Sequence, residues 1–279
     1  MNWLAGLHVV SMALNLPGPV ACARLRDMGA RVTKVEPVAG DPFEAWCAPW
    51  YTRLHREMDV RRIDLKSAPG AAEIDALLAH ADLFVAAQRP AALARLGLDA
   101  ETLAKRHPRL CVLSITGHAP PEDGIAGHDL TYLAAQGLVT PPALPATLFA
   151  DMAGAERVVS TALALVHARD RDGAGSAATV PLAEAASFLA QPLAEGLTRP
   201  GGVLGGGLPA YHLYEARDGW IAVAALEPHF AKRLAEALAI DPLTRPALAA
   251  RFAADTAAHW ESWARNLDLP LVAVRLPVR

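Results

Sequence analysis

In the heptapeptide GHDLTYL, residues 127–133, a histidine and an aspartate stand side by side in a stretch otherwise built to be buried. An imidazole there has two uses. His128 is either a structural residue with a local hydrogen-bond partner or a group that moves a proton near neutral pH. Asp151, which ends LFAD directly ahead of a long helical pattern, also reads two ways. As an N-cap it would accept from first-turn N–H groups and contribute about 1 kcal/mol. As a base it would stand beside unpaired N–H groups and the positive end of a helix dipole, where a developing oxyanion can be held. Glu227, in ALEPHF, is a third candidate: a carboxylate ahead of Pro228 at a helix start, where it complements the dipole. Singly, each residue has an ordinary structural role, and the combination acquires a chemical meaning only from a family pattern.

The elements around these residues must position them. LHVVSM at 7–12 reads as a buried strand, NLPGP at 15–19 as a turn, PVACARLRDMG at 19–29 as a helix ending at Gly29, and RVTKVE at 31–36 as a second strand. ADLFVAA at 81–87 and RLCVLSIT at 109–116 are further strands flanking a helix over 98–108, with Asp99 at its N-cap. Strand, helix, strand with short connections implies parallel pairing through right-handed crossovers, hence an α/β fold.

Beyond residue 118 the pattern is mostly helical, over about 129–137, 152–170 and 182–196. The Gly-rich GGVLGGG at 201–207 reads as a loop or hinge. It precedes a hairpin in which YHLYEA and WIAVAAL flank the turn RDG at 217–219. Helices over 227–238 and 247–267 and a closing strand over 270–277 complete the chain. The expected organisation is a large domain over 1–195, a smaller α+β domain over 196–265, and a candidate return strand to the large domain within 266–279.

Hydrophobic residues make up 53% of the chain and charged ones 20%, which favours a well-buried globular protein. The net charge of −3 comes from 26 basic and 29 acidic residues spread without a basic run, so nucleic acid is not an expected partner. Cys22, Cys47 and Cys111 are odd in number and lack CxxC spacing, which points away from disulfides and from a metal site. No apolar run reaches the roughly 18–20 residues of a membrane span. The start MNWLAGLHVV lacks the charged region and cleavage site of a secretory signal. A cytoplasmic protein with no membrane association is expected. PGP stands where a GxGxxG would follow the first strand, and there is no GK[ST], GxSxG or HExxH.

The segments LAGLHVVSMALNLPGPVACARLRDMGARVTKVE at 4–36, IDLKSAPG at 63–70 and the run from ADLFV to SITG at 82–117 resemble the class III CoA-transferases of the CaiB/BaiF type. So do GHDLTYLAAQG at 127–137, LFADMAGA at 148–155 and GGGLPAYHLYEARDGWIAVAALEPHF at 205–230. His128 in GHD, where the transferases usually carry an aromatic residue, and the pattern around Glu227 resemble the alpha-methylacyl-CoA racemase branch.

The resemblance implies a Rossmann-like large domain holding CoA, a smaller second domain, and an interlocked homodimer. It also implies an acyl-CoA substrate, with CoA entering as part of the substrate and no tightly bound cofactor. In the racemases, residues matching His128 and Asp151 flank the substrate Cα and the residue matching Glu227 pairs with the histidine. In the transferases, the residue matching Asp151 is the nucleophile of an acyl-aspartyl intermediate. By family position, Arg56, Arg89 and Arg95 are candidates for the CoA phosphates, against an ordinary reading as solvated surface charges, and Tyr132 for the thioester channel. Racemisation of a 2-methylacyl-CoA through an enolate is thus the leading expectation, with a CoA-transferase and a non-catalytic CoA-binding or scaffold protein as alternatives. Two-base inversion needs a group on each face of Cα and stabilisation of the enolate oxygen, expected from N–H groups at the start of the 152–170 helix.

The chain departs from the family at Pro37, where an Arg is usual. It departs again in REMD at 56–59, which keeps Arg56 but not the next two cations, and in a shortened connection through PPALP at 141–145.

Overall fold

The computed structural model describes residues 2–275. The chain divides into two compact units, Met1–Ala190 and Gln191–Arg279.

In the first unit, β1 (His8–Ser11) is followed by α1 (Pro17–Asp27), β2 (Arg31–Glu36), α2 (Pro42–Trp46), α3 (Ala48–His55) and β3 (Asp59–Arg62). Then come α4 (Ala68–Leu78), β4 (Leu83–Ala86), α5 (Pro90–Leu96), α6 (Ala100–Arg106), β5 (Cys111–Thr116), α7 (Asp129–Ala135), α8 (Phe149–Asp172), β6 (Ala177–Pro181) and α9 (Leu182–Ala194). The strands form one parallel sheet in the order β3-β2-β1-β4-β5-β6. The order reverses between β1 and β4, so the crevice for a ligand lies at the carboxyl ends of these strands.

Successive residues of the central strands enter different cores. Val9, Val85 and Leu113 pack with Leu25 and Val158, from α1 and α8. Val10, Phe84 and Val112 pack with Leu78 and Leu103, from α4 and α6. Burial on both faces is why these strands read as continuous apolar runs. Asp99 caps α6 as expected, accepting from Thr102 N–H at 3.0 Å.

The loop after β2 is anchored by buried charge. Lys34 Nζ donates to Asp41 and to His55 Nε2 (2.8 Å) and lies 3.1 Å from Glu36. Asp41 Oδ1 in turn accepts from Asn15 N–H at 3.0 Å, fixing the β1–α1 loop. His55 Nδ1 donates to the Tyr51 carbonyl at 2.8 Å, so Nε2 accepts from Lys34 and the ring is neutral. Burial, reinforced by Lys34, lowers the His55 pKa from its ordinary 6.5. The unfolded chain therefore takes up this proton more readily. The associated stability is complete above pH 6.5 and is lost as pH falls through the folded value. Wild type should lose melting temperature between about pH 7 and 5 more steeply than His55→Gln, whose amide can make both bonds without titrating; equal slopes would refute this.

In the second unit, β7 (Tyr211–Ala216) and β8 (Gly219–Ala224) form the expected hairpin, followed by α10 (Pro228–Leu238), α11 (Arg245–Phe252), α12 (Ala257–Asn266) and β9 (Leu271–Ala273). Ile221, Val223, Leu234, Phe252 and Trp260 form its core. The single helix expected over 247–267 is two helices. Thr256 caps α12 by accepting from His259 N–H at 3.1 Å, and the hairpin turn pins the break: Arg217 N–H donates to Asp255 O and Asp218 Oδ1 accepts from Ala257 N–H. Within 266–279, where a return strand is expected, β9 is the strand among the described residues. β9 pairs antiparallel with β8 inside the second unit, because Val223 and Ile221 offer it a register, and residues 276–279 lie outside the described residues. The division between units falls within α9, ahead of the expected boundary at 195. Among the described residues no helix is long and apolar enough to cross a membrane.

Candidate active site

At the carboxyl end of β5 the chain passes through Gly117 and a loop, and returns at Gly127–His128 to start α7. His128 is the N-cap of this helix, its N–H donating to Thr131 Oγ1 (3.0 Å) and its carbonyl accepting from that hydroxyl (2.8 Å). It is exposed, so it is not a core histidine. It borders a cleft of about 250 Å³ that Gln88, Arg89, Thr116, Asp123 and Tyr132 also line.

The next residue, Asp129, carries the connection that matters. Its buried carboxylate Oδ1 accepts from the backbone N–H of Ala150 (2.7 Å) and of Asp151 (3.1 Å), at the start of α8. The helix begins at Phe149 after the N-cap Leu148, three residues earlier than expected, so Asp151 lies in the first turn and does not cap it. Asp129 caps the helix from another element. It thereby ties the chain beside His128 to the backbone of Asp151.

The same contact changes the oxyanion expectation. The N–H groups of Ala150 and Asp151 are spent on Asp129, and that of Met152 on the Leu148 carbonyl at 3.0 Å. An enolate oxygen needs a different donor.

Burial, and secondarily the negative charge of Asp129, push the Asp151 carboxyl up to about 7. Two carboxylates lie in one place and the helix N–H bonds go to Asp129, so the Asp151 carboxyl is buried beside a negative charge without those bonds.

Tyr132 is buried in the cleft wall, with its pKa raised by burial and by Asp151. Its ring meets His118 edge-on at 5.4 Å. Glycine at 127 is required by this ring, since a Cβ there would lie 2.4 Å from Tyr132 Cε1 and 2.8 Å from its hydroxyl. Gly127→Ala should therefore destabilise the fold by about 1–3 kcal/mol and lower turnover with it, whereas Gly124→Ala, which meets nothing within 4 Å, should be close to neutral. Thermal melts of the two variants decide; equal effects would refute the slot.

The remaining predicted residues are placed as follows. Arg89 is the N-cap of α5 and lines the cleft. Arg95, in the last turn of α5, is exposed and does not line that cleft. Arg56 follows α3 and lies 3.8 Å from Asp27, at the entry to β3 and β2, which is the opposite edge of the sheet from the cleft. Glu227 is the exposed N-cap of α10 in the second unit, with Pro228 at the first helical position as expected.

Sequence reasoning missed Asp129, whose adjacency to His128 was visible but whose partners lie in another helix. It also missed Gln88 and Lys66. Gln88 forms part of both the His128 cleft and a second cleft of about 550 Å³ at the carboxyl ends of β1, β2 and β3, lined by Met12, Leu14, Ile63, Leu65 and Lys66 among others. It is held by donating its amide to the Met12 carbonyl at 2.7 Å, across the strand-order reversal. Two clefts with a common wall span the place where a Rossmann-like sheet takes an extended ligand.

A doubly covered parallel sheet with this strand order and a titratable carboxyl beyond its strand ends defines a Rossmann-like α/β protein. The model of CoA-transferase family III matches residues 4–277, and the chain belongs to that family. It is 30% identical to human (Homo sapiens) alpha-methylacyl-CoA racemase over 257 residues, covering 85% of this chain and 65% of that protein. It is 31% identical to cinnamoyl-CoA:phenyllactate CoA-transferase of Clostridium sporogenes over 210 residues, covering 67% of this chain and 50% of that protein. The chain thus spans about half to two thirds of the length of these relatives. A solved hypothetical protein from Mycobacterium tuberculosis shares the fold, with a TM-score of 0.85 at 22% identity over 98% of this chain and 85% of that one.

Proposed function

We propose that the protein racemises acyl-CoA thioesters with a 2-methyl branch by proton transfer at Cα. The observation that carries this reading is the bridge from Asp129 to the backbone of Asp151, which holds a carboxyl titrating at about 7 next to the segment that presents His128 to a cleft. An acid–base group is most effective when its pKa lies near the working pH. In one direction the Asp151 carboxylate takes the Cα proton and His128, as imidazolium, returns one to the opposite face; in the other, neutral His128 takes the proton and the Asp151 carboxylic acid delivers it. Both charge states of Asp151 are populated near neutrality, so neither direction is starved.

The enolate oxygen needs a donor, and the backbone N–H of Asp129, which finds no acceptor among the described residues, directly follows His128. The larger apolar cleft suits the nucleoside part of CoA, with Gln88 at the turn into the His128 cleft and Arg89 and Lys66 as the cations at hand. Arg56 and Arg95 keep only the role that family position implies. Glu227 is retained as the supporting partner of the histidine, and an interlocked homodimer as the assembly, both on the resemblance.

The test is incubation of 2-methylacyl-CoA thioesters in D₂O. Label entering Cα with no acceptor acid present supports racemisation. A transferase, the activity named for the clostridial relative, would instead leave a covalent adduct on Asp151, seen by mass spectrometry, and would exchange CoA between acids. Neither signal would mark a non-catalytic CoA-binding protein.

A further inference from the structure

Three charged residues border the cleft of about 550 Å³ at the ends of β1, β2 and β3: Glu36, Asp64 and Lys66. The acids outnumber the cation. Glu36 is the last residue of β2, in a sheet whose strand order is that of the dinucleotide-binding fold. In that fold an acidic residue past the second strand accepts from ribose hydroxyls, and an arginine takes its place where the ribose carries a phosphate.

The Glu36 carboxylate is only half satisfied. Oε1 accepts from the Tyr51 hydroxyl at 2.7 Å and lies 3.1 Å from Lys34 Nζ. Oε2 is buried without a hydrogen-bond partner among the described residues, with Arg62 Nε 3.6 Å away. A buried acceptor left open is unusual enough in a folded chain to call for a donor from outside it. The neighbouring cations are already answered: Arg62 by Glu44 at 2.9 Å, Arg61 by Asp59 at 2.8 Å and Lys34 by Asp41. Pro37 and Val38, which follow Glu36 along the cleft, are exposed and uncharged.

We propose that this cleft selects an adenosine whose ribose hydroxyls are free, so that a thioester of 3′-dephospho-CoA is held at least as well as a thioester of CoA. A ribose diol brings hydroxyl donors and no charge. A phosphate dianion brings acceptors only and sets its charge beside Glu36 and Asp64, where like charges repel. Glu36 is thereby a specificity-determining residue of the nucleotide end. The inference rests on the proposed seating of the nucleoside in this cleft and concerns binding, which is measured apart from exchange at Cα.

The experiment is calorimetric titration of the full chain with CoA and with 3′-dephospho-CoA. Dephospho-CoA should bind as tightly as CoA or more tightly. Pro37→Arg adds a cation at the exposed residue after Glu36 and should turn the ratio of the two affinities at least tenfold towards CoA. Glu36→Gln removes the charge while keeping an acceptor for the Tyr51 hydroxyl, and should move the ratio in the same direction. CoA binding wild type tenfold or more tightly than dephospho-CoA overturns the proposal, as does a ratio that Pro37→Arg leaves unchanged; either result leaves the racemase reading standing. Failure of both compounds to bind would instead overturn the seating of the nucleoside in the cleft, and this inference with it.

Discussion

Asp151→Asn is expected to lower Cα exchange by roughly 10²–10⁴-fold, the range for one positioned acid–base group, and at the same time to make the fold more stable in alkaline solution. The second effect follows from the raised pKa. With a folded value of about 7 against an ordinary 3.8, the folded chain holds this proton more firmly than the unfolded chain does. Stability is therefore lost as pH rises from the ordinary carboxylate range toward 7 and is constant above it. The full difference would be about 4 kcal/mol at 1.36 kcal/mol per pKa unit; partial solvent access reduces it to the order of 2 kcal/mol. Asparagine does not ionise. The melting temperature of the variant relative to wild type should rise from about pH 4 to 7 and then level off. Loss of activity without that pH-dependent gain would mean that the carboxyl is not held near neutrality. A transferase would also lose activity on this substitution, so trapping of an adduct on Asp151 in wild type separates the two chemistries.

The sheet was legible because its inner strands are buried on both faces. HVVS, LFVA and CVLSIT carry apolar runs between turn residues, RVTKVE is marked by its β-branched residues, and each is a strand. The edge strands were not: Asp59–Arg62 is DVRR with all four residues exposed, and Ala177–Pro181 at the other edge is half exposed, so neither carries a hydrophobic signal. The helix over 247–267 looked continuous because the apolar period runs across the break; what interrupts it is a contact to the hairpin turn, a tertiary fact.

At the site, residue types and family pattern pointed to His128, Asp151 and Tyr132, and two of these line or flank the cleft directly. The electrostatics were out of reach. Nothing in the string GHD says that its aspartate reaches over twenty positions to the next helix, so the cap was assigned to Asp151, the acidic residue nearest the helix start by sequence. Arg56 is a second residue whose surroundings the string does not show. Family position nominated it, yet the chain carries it to the strand-entry edge beside Asp27.

Asp129 yields the second large effect, because it does two jobs that different substitutions separate. Asp129→Asn keeps a carbonyl oxygen able to accept from Ala150 and Asp151 while removing the charge. The Asp151 pKa should then fall, though not to its ordinary value, since burial is the larger cause of the shift and is untouched. The limb of the pH–rate profile that reports Asp151 should move toward acid, with the melting temperature little changed. Asp129→Ala removes the acceptor as well. It leaves the N–H of buried Ala150 without a partner and releases the first turn of α8 from the segment carrying His128. Hydrogen bonds to a charged group contribute about 1.5–3 kcal/mol each, so a loss of about 2–4 kcal/mol is expected, together with a fall in exchange far larger than that of the asparagine variant. Denaturant titration and pH–rate profiles on both variants supply the comparison. Equal behaviour of Asn and Ala would show that charge alone matters and that the bridge between the two helices positions nothing.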